Sequence, residues 1–271
     1  MNFLIVQPSP LLRNYIRSYC FMEAGAAEGV VTERVIPVPG LQLMFHYGTP
    51  FMVRQAGKPT FTQSRSFLSG LSDTWADVST RGETGVVFIR FHLAGACHFF
   101  NFPLSHAGNL EIDLSNLYRN ETRQIEEELY LERSTMGKVK IIEDFLLQCF
   151  NPLPERETRL LLAGIRLIRQ SGGQITATDL AGRLAVSPRS LERKFSSCLG
   201  SSPKQLIRLF RYQEALQNLG RNSDLSFTGQ ACLNGYFDQS HFIRDFKAFT
   251  GYTPKEFTAL YPGYNATAEY C

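Results

Sequence analysis

The segment SPRSLERKFSSCLGSSPKQL, from Ser187 to Leu206, aligns without a gap on DQSHFIRDFKAFTGYTPKEF, from Asp238 to Phe257. Arg193 matches Arg244, Phe195 matches Phe246, Gly200 matches Gly251, and Pro203-Lys204 matches Pro254-Lys255. Leu191 and Leu206 meet Phe242 and Phe257 as apolar matches. Such a stretch folds as two copies of one supersecondary unit.

Each copy reads as a helix with defined ends. Ser187 and Asp238 are N-cap residue types, and Pro188 suits a first turn whose N–H would be unpaired anyway. Leu191, Phe195 and Cys198 recur at i, i+4 and i+7, as do Phe242, Phe246 and Phe249, which predicts a buried stripe. The opposite stripes carry Arg189, Glu192, Arg193 and Ser196 in one helix, and Gln239, Ser240, Ile243, Arg244 and Lys247 in the other. Gly200 and Gly251 end the helices. A shorter helix and a tight turn precede each: DLAGRLAV before Ser187, FTGQACLNGYF before Asp238.

Short helix, turn, and second helix with an exposed polar face is the helix-turn-helix arrangement, whose second helix enters the DNA major groove. The forked polar ends of arginine and glutamine match guanine O6/N7 and adenine N6/N7. Nothing breaks a helix from Pro203 to Leu219, a rod of roughly 25 Å at about 1.5 Å per residue. Such a rod can hold two reading helices about one DNA turn apart, near 34 Å. Between Ser171 and Phe257 there are 11 Lys/Arg against 7 Asp/Glu, whereas residues 1–170 balance at 17 each. A basic excess confined to this region suits a domain that meets phosphates.

The runs LAGRLAVSPRSLERKF, GSSPKQLIRLFRYQEAL and GYFDQSHFIRDFKAFTGYTPKEF resemble the DNA-binding domain of AraC/XylS-type transcriptional regulators over about residues 157–260. The resemblance implies two helix-turn-helix units, joined by a rigid helix, on adjacent major-groove segments of one DNA face. By motif position it implies base-reading roles for Arg189, Glu192 and Arg193 in the first unit, and for Gln239, Ser240 and Arg244 in the second. Lys204, Arg208, Arg211, Lys247 and Lys255 are candidate phosphate contacts. The chain departs from the family pattern at Gln230, where the residue before the small Ala231 is usually aliphatic.

The preceding part of the chain has another texture. From Val31 to about Leu93, strand-like runs (VTERVIPVPG, LQLMFHYG, PFMVRQAG, GVVFIRFHL) alternate with glycine and proline turns, predicting a compact β-barrel or sandwich. Near Ser115 the period becomes helical, and Val139, Ile142, Phe145, Leu146 and Cys149 fall on one packing stripe. Asn151-Pro152-Leu153-Pro154 breaks that helix. RVIPVPGLQLMFHYG and VVFIRFHLAGACHFFNFPLSHAGNLEIDLSNLY are similar to sensor domains of some such regulators, which implies a cupin-like barrel followed by helices that dimerise.

The expected architecture is therefore a two-domain α+β chain. Residues 1–152 form a cupin-like β-barrel sensor or dimerisation domain with trailing helices at about 115–150, and residues 153–271 an all-α domain with two helix-turn-helix units joined by a linker helix. The leading apolar run is too short for a signal peptide and no stretch of 18 or more apolar residues occurs, so a soluble, cytoplasmic protein is expected. Six scattered cysteines without a CxxC pair predict reduced thiols.

Other chemistries fit less well. Ser240 and His241 are helix neighbours projecting about 100° apart, a poor nucleophile and base; His241 and Asp245, at i and i+4, make a structural pair. His46, His92 and His98 lack the His-x-His spacing of a cupin metal site, so neither metal nor cofactor is expected. Arg90 and His92, on the polar face of their strand, are candidate ligand contacts. Trp75, Phe45 and Phe88 either wall a pocket or fill a core.

The sequence thus predicts a bacterial-type, non-enzymatic regulator. Its partner is double-stranded DNA; RNA polymerase, a small-molecule effector and a second copy of the chain are the further partners such a protein admits. The competing reading is a small-molecule enzyme or repair domain fused to a DNA-binding module.

Overall fold

The computed structural model describes residues 2–25, 29–55, 57–109, 111–221 and 225–262. The chain begins with β1 (Asn2–Val6), β2 (Ile16–Ala24), β3 (Thr32–Val35), β4 (Gln42–His46) and β5 (Met52–Gln55). It continues with β6 (Phe61–Thr62), β7 (Ser66–Ser69), β8 (Ala76–Ser79), β9 (Thr84–Phe91) and β10 (Glu111–Asp113). The strands form two antiparallel sheets, ordered β1-β2-β9-β4-β7-β10 and β3-β8-β5-β6.

Alternation along the strands gives the larger sheet two apolar faces. Met22 pairs with Val86 and Met44 with Phe88, lining the face turned toward the smaller sheet. Leu43, Phe45, Val87 and Ile89 belong to the main core on the other face. That face is covered by α1 (Arg119–Leu131) and α2 (Thr135–Cys149). Phe145 of α2 meets Phe45 edge-on with ring centroids 6.2 Å apart, and Glu143 accepts a 3.1 Å hydrogen bond from the Tyr19 hydroxyl. The predicted α2 stripe is buried at Val139, Ile142, Phe145 and Leu146, with Cys149 half-buried.

The sheet starts earlier than the strand pattern predicts. β1 and β2 lie ahead of Val31, and β2 is the strand paired to β9 over most of its length. Buried on both faces at Ser18, Tyr19, Cys20 and Phe21, β2 shows no alternation to read.

α2 ends at Cys149 and α3 (Glu155–Gln170) starts after Pro154, so the helical path breaks where the prolines stand. There follow α4 (Ala177–Arg183), α5 (Pro188–Leu199), α6 (Pro203–Arg221), α7 (Phe227–Leu233), α8 (Gln239–Thr250) and α9 (Pro254–Leu260). The chain is thus a two-domain α+β protein with antiparallel sheets in its N-terminal part and helices in its C-terminal part. Cys20, Cys97 and Cys198 are buried free thiols, Cys232 is exposed, and Cys271 lies outside the described residues.

Candidate nucleic-acid interface

The two copies of the repeat are α5 and α8. Ser187 Oγ accepts from Ser190 N at 3.2 Å, and Asp238 Oδ1 accepts from His241 N at 2.7 Å, so each helix starts on a side-chain cap. Each ends on a left-handed glycine, Gly200 at φ 73° and Gly251 at φ 79°, a region open to glycine at little cost. Leu191, Phe195 and Cys198 are buried, as are Phe242, Phe246 and Phe249. Arg189, Glu192 and Arg193 are exposed on α5, and Ser240 and Arg244 on α8. Gln239 is half-buried, and its Oε1 accepts from Thr228 Oγ1 of α7 at 2.8 Å.

The duplication reaches further than the sequence identities. Lys194 Nζ of α5 lies 2.6 Å from Glu157 Oε1 of α3, and Arg208 Nη2 of α6 lies 2.9 Å from Asp245 Oδ1 of α8. Glu157 and Arg208 stand the same distance apart in the chain as Lys194 and Asp245. The same ion pair therefore recurs with its charges exchanged, and the repeating unit is three helices: α3-α4-α5, then α6-α7-α8. α6 is both the linker and the first helix of the second unit.

The candidate phosphate contacts divide into two groups. Lys204, Lys247 and Lys255 are exposed. Arg208 is bonded to Asp245 with its guanidinium 4.7 Å above the Phe249 ring; Arg211 donates to Gly173 O at 3.0 Å and lies 5.6 Å from the Tyr236 ring. Both arginines tie α6 to its neighbours. His241 Nε2 is 4.0 Å from Asp245 Oδ2, on the flank of that tie.

The units differ in their turns. Ala185 (φ 52°) and Gly235 (φ 68°) occupy the left-handed position of each turn. Val186 leads directly to the Ser187 cap, whereas Tyr236 is followed by an additional residue, Phe237, before Asp238. Phe237 is 93% exposed beside the start of α8, and the sequence pattern gave no reason to single it out. In α7, Gln230 takes the buried place that Leu180 has in α4; it is 1% exposed, and its amide donates to Asn218 O at 3.5 Å.

Residues 180–259 match the family described as a helix-turn-helix domain. This is an AraC-type DNA-binding domain. The protein carrying it is a DNA-binding transcriptional regulator. Residues 5–113 match a separate family, a domain of unknown function, DUF6597. No curated protein matches the chain. Among solved structures it is similar to ToxT of Vibrio cholerae, at 12% identity and a TM-score of 0.47 over 90% of this chain and 98% of that one. CdpR of Pseudomonas aeruginosa aligns at 16% identity and a TM-score of 0.29, over 66% of this chain and 46% of that one. The AraC-like transcriptional activator CuxR aligns at 15% identity and a TM-score of 0.29, over 80% and 87%.

In this chain the N-terminal part holds α5 and α8 by equivalent ends. A Cβ on Gly200 would stand 3.1 Å from Leu104 O, and one on Gly251 2.7 Å from Arg34 Nη1 and Trp75 Nε1. Arg34 lies between Trp75 and Tyr252, 3.7 and 4.4 Å from their ring centroids, and donates to Thr250 O at 3.4 Å. Its other edge pairs with Asp77 at 2.7 and 3.1 Å, and this guanidinium holds the Asp77 carboxyl below its usual range. The Cys97 thiol donates to Ala94 O at 3.3 Å. Gln213 of α6 donates to Pro37 O.

The remaining candidates sit apart from the large cavity between the sheets. His92 Nε2 is 3.2 Å from Arg13 O, and Arg90 borders a small recess with Arg17 and Gln42; neither lines the cavity between the sheets. Phe88 does line it, Phe45 is core, and Trp75 serves the Arg34 stack. His98 Nδ1 accepts from Leu153 N at 3.1 Å, which fixes the segment ahead of α3. No helix among the described residues is long and apolar enough to cross a membrane.

Proposed function

We propose that α5 and α8 enter adjacent major-groove segments on one face of double-stranded DNA, and that Arg189, Glu192, Arg193, Gln239, Ser240 and Arg244 read bases there. The observation that carries this is the pair of exposed polar stripes in equivalent register on one duplicated frame. With its carbonyl held by Thr228, Gln239 acts as a donor through its amide nitrogen and suits acceptors such as guanine O6 or a purine N7. Lys204, Lys247 and Lys255 meet phosphates. Arg208 and Arg211, engaged inside the helical domain, set the position of α6 and contribute field rather than contacts.

We take residues 1–152 and 153–271 as the working units, with the two facing sheets as a cupin-like sensor whose interior holds an effector. The exposed Tyr130, Leu131 and Met136, at the junction of α1 and α2, supply a face for a second copy of the chain. RNA polymerase would be met from the DNA-bound state. On this reading the protein works by binding, without catalysis, in the cytoplasm.

Site selection from a random DNA library, followed by titration of the selected site, tests the assignment. Arg193→Ala and Arg244→Ala should each weaken binding by about 1–3 kcal/mol and relax base preference in separate halves of the site. Wild-type affinity and preference in both variants would show that other residues read the DNA.

A further inference from the structure

The cavity between the sheets measures about 230 Å³, the space of roughly eight waters at ~30 Å³ each. Met22, Met44, Phe51, Val53, Val78 and Phe88 give it apolar walls. One end is polar. Glu111 of β10 lines it, and the Gln63 amide donates to Glu111 Oε1 at 2.6 Å. The Gln63 carbonyl in turn faces His46 Nε2 at 3.1 Å. His46 is buried beside Phe51 and Phe67, and burial pushes its pKa down to about 4. The ring is therefore neutral and donates through Nε2 to Gln63. This relay fixes the Gln63 amide as a donor to Glu111 and occupies one carboxyl oxygen.

Among the described residues, the ionisable side chains lining the cavity are Glu33 and Glu111, with no Lys, Arg or His. Burial without a cationic partner pushes the Glu111 carboxyl up to about 7, the behaviour of a desolvated acid. Such a site favours a ligand that brings positive charge and hydrogen-bond donors, and disfavours one that brings a second carboxylate. We propose that the cavity binds a compact apolar molecule bearing one protonated amine, its ammonium donating to Glu111 and its hydrocarbon part packing on Met22, Met44, Phe51 and Phe88. The proposal rests on reading the N-terminal part as an effector-binding domain and names the chemical class of that effector.

Calorimetric titration of the full chain at pH 8, where Glu111 is ionised, tests this with three probes of one size: 2-phenylethylamine, 2-phenylethanol and phenylacetate. The amine should bind about tenfold or more tighter than the alcohol, the worth of a charge-assisted hydrogen bond, and phenylacetate should bind weakest. Glu111→Gln should remove most of the amine's advantage and leave the alcohol's affinity within about twofold. Phenylacetate binding as tightly as the amine, or an amine advantage that survives Glu111→Gln, overturns the proposal while keeping the cavity as a ligand site. Failure of all three probes to bind overturns both the proposal and the effector-domain reading.

Discussion

Exchanging the charges of the second unit's ion pair tests whether Glu157–Lys194 and Arg208–Asp245 are one device used twice. The Asp245 side chain is 9% exposed and that of Arg208 37%. At 2.9 Å and an effective dielectric constant near 20, their attraction is about 6 kcal/mol before desolvation is counted. Removing one partner of a buried pair leaves the other charge stranded, which costs about 3–5 kcal/mol when both are buried. With Arg208 partly in solvent, about 2–3 kcal/mol is expected for Asp245→Lys or Arg208→Glu alone. Like charges then face each other, adding to that cost. The double variant, Arg208→Glu with Asp245→Lys, recreates the arrangement of the first unit and should recover most of the loss. Recovery stops short by about 0.5–1 kcal/mol, because glutamate cannot replace the guanidinium above the Phe249 ring. Urea unfolding of the four proteins, followed by circular dichroism at 222 nm, gives the coupling energy from a double-mutant cycle. A double variant no more stable than the worse single variant would refute the idea that charge order at this site is interchangeable.

Two further perturbations address the interface and the cavity. Phe237→Ala should lower affinity for the selected site by about 1 kcal/mol or more, since a nearly fully exposed ring beside the reading helix gains burial only against DNA; its urea midpoint should stay unchanged, and equal loss of stability would move Phe237 into the fold. Glu111 titrates higher in the folded chain than its ordinary value of 4.5, at about 7, so its contribution to stability is fully present below about 4.5 and is lost as pH rises through about 7. At about 1.4 kcal/mol per unit, the stability gap between wild type and Glu111→Gln should swing by about 3 kcal/mol from pH 4.5 to 8, with the variant gaining; parallel urea-midpoint curves across that range would contradict the burial argument.

The helical part was legible because it is written twice. Ser187 and Asp238 mark the starts, Gly200 and Gly251 the ends, and phenylalanines at helical spacing the buried faces, so local chemistry and repetition agree. The charge-exchanged ion pair escaped for the same reason, since an alignment that scores identities passes over Glu157 against Arg208. Phe237 escaped because it is an insertion with no counterpart. In the N-terminal part, β4, β5 and β9 announce themselves as apolar runs set between glycine and proline turns, whereas β2 lies ahead of that punctuated region and β1 is an edge with Phe3, Leu4 and Ile5 exposed. The polar end of the cavity depends on His46, Gln63 and Glu111, far apart in the chain and joined only when β4, β7 and β10 pair into one sheet. Arg90 and His92 stand out by their place on the polar face of a strand; Arg90 is on the same side of β9 as Phe88 but, at the strand's end, borders a separate recess with Arg17 and Gln42, and His92 turns to Arg13 O.

Gly200 and Gly251 are where the N-terminal part reaches both proposed reading helices, through Leu104 in one case and Arg34 with Trp75 in the other. Two helices joined only by a rod can each swing about its ends; two helices also held at their C-terminal ends cannot change separation independently. Adding one base pair between the two halves of an operator shifts one half by about 3.4 Å and turns it by about 34° around the duplex. A twice-anchored pair has no joint that absorbs such a step. In the intact chain, the interval between half-sites becomes part of what is recognised, alongside the bases themselves.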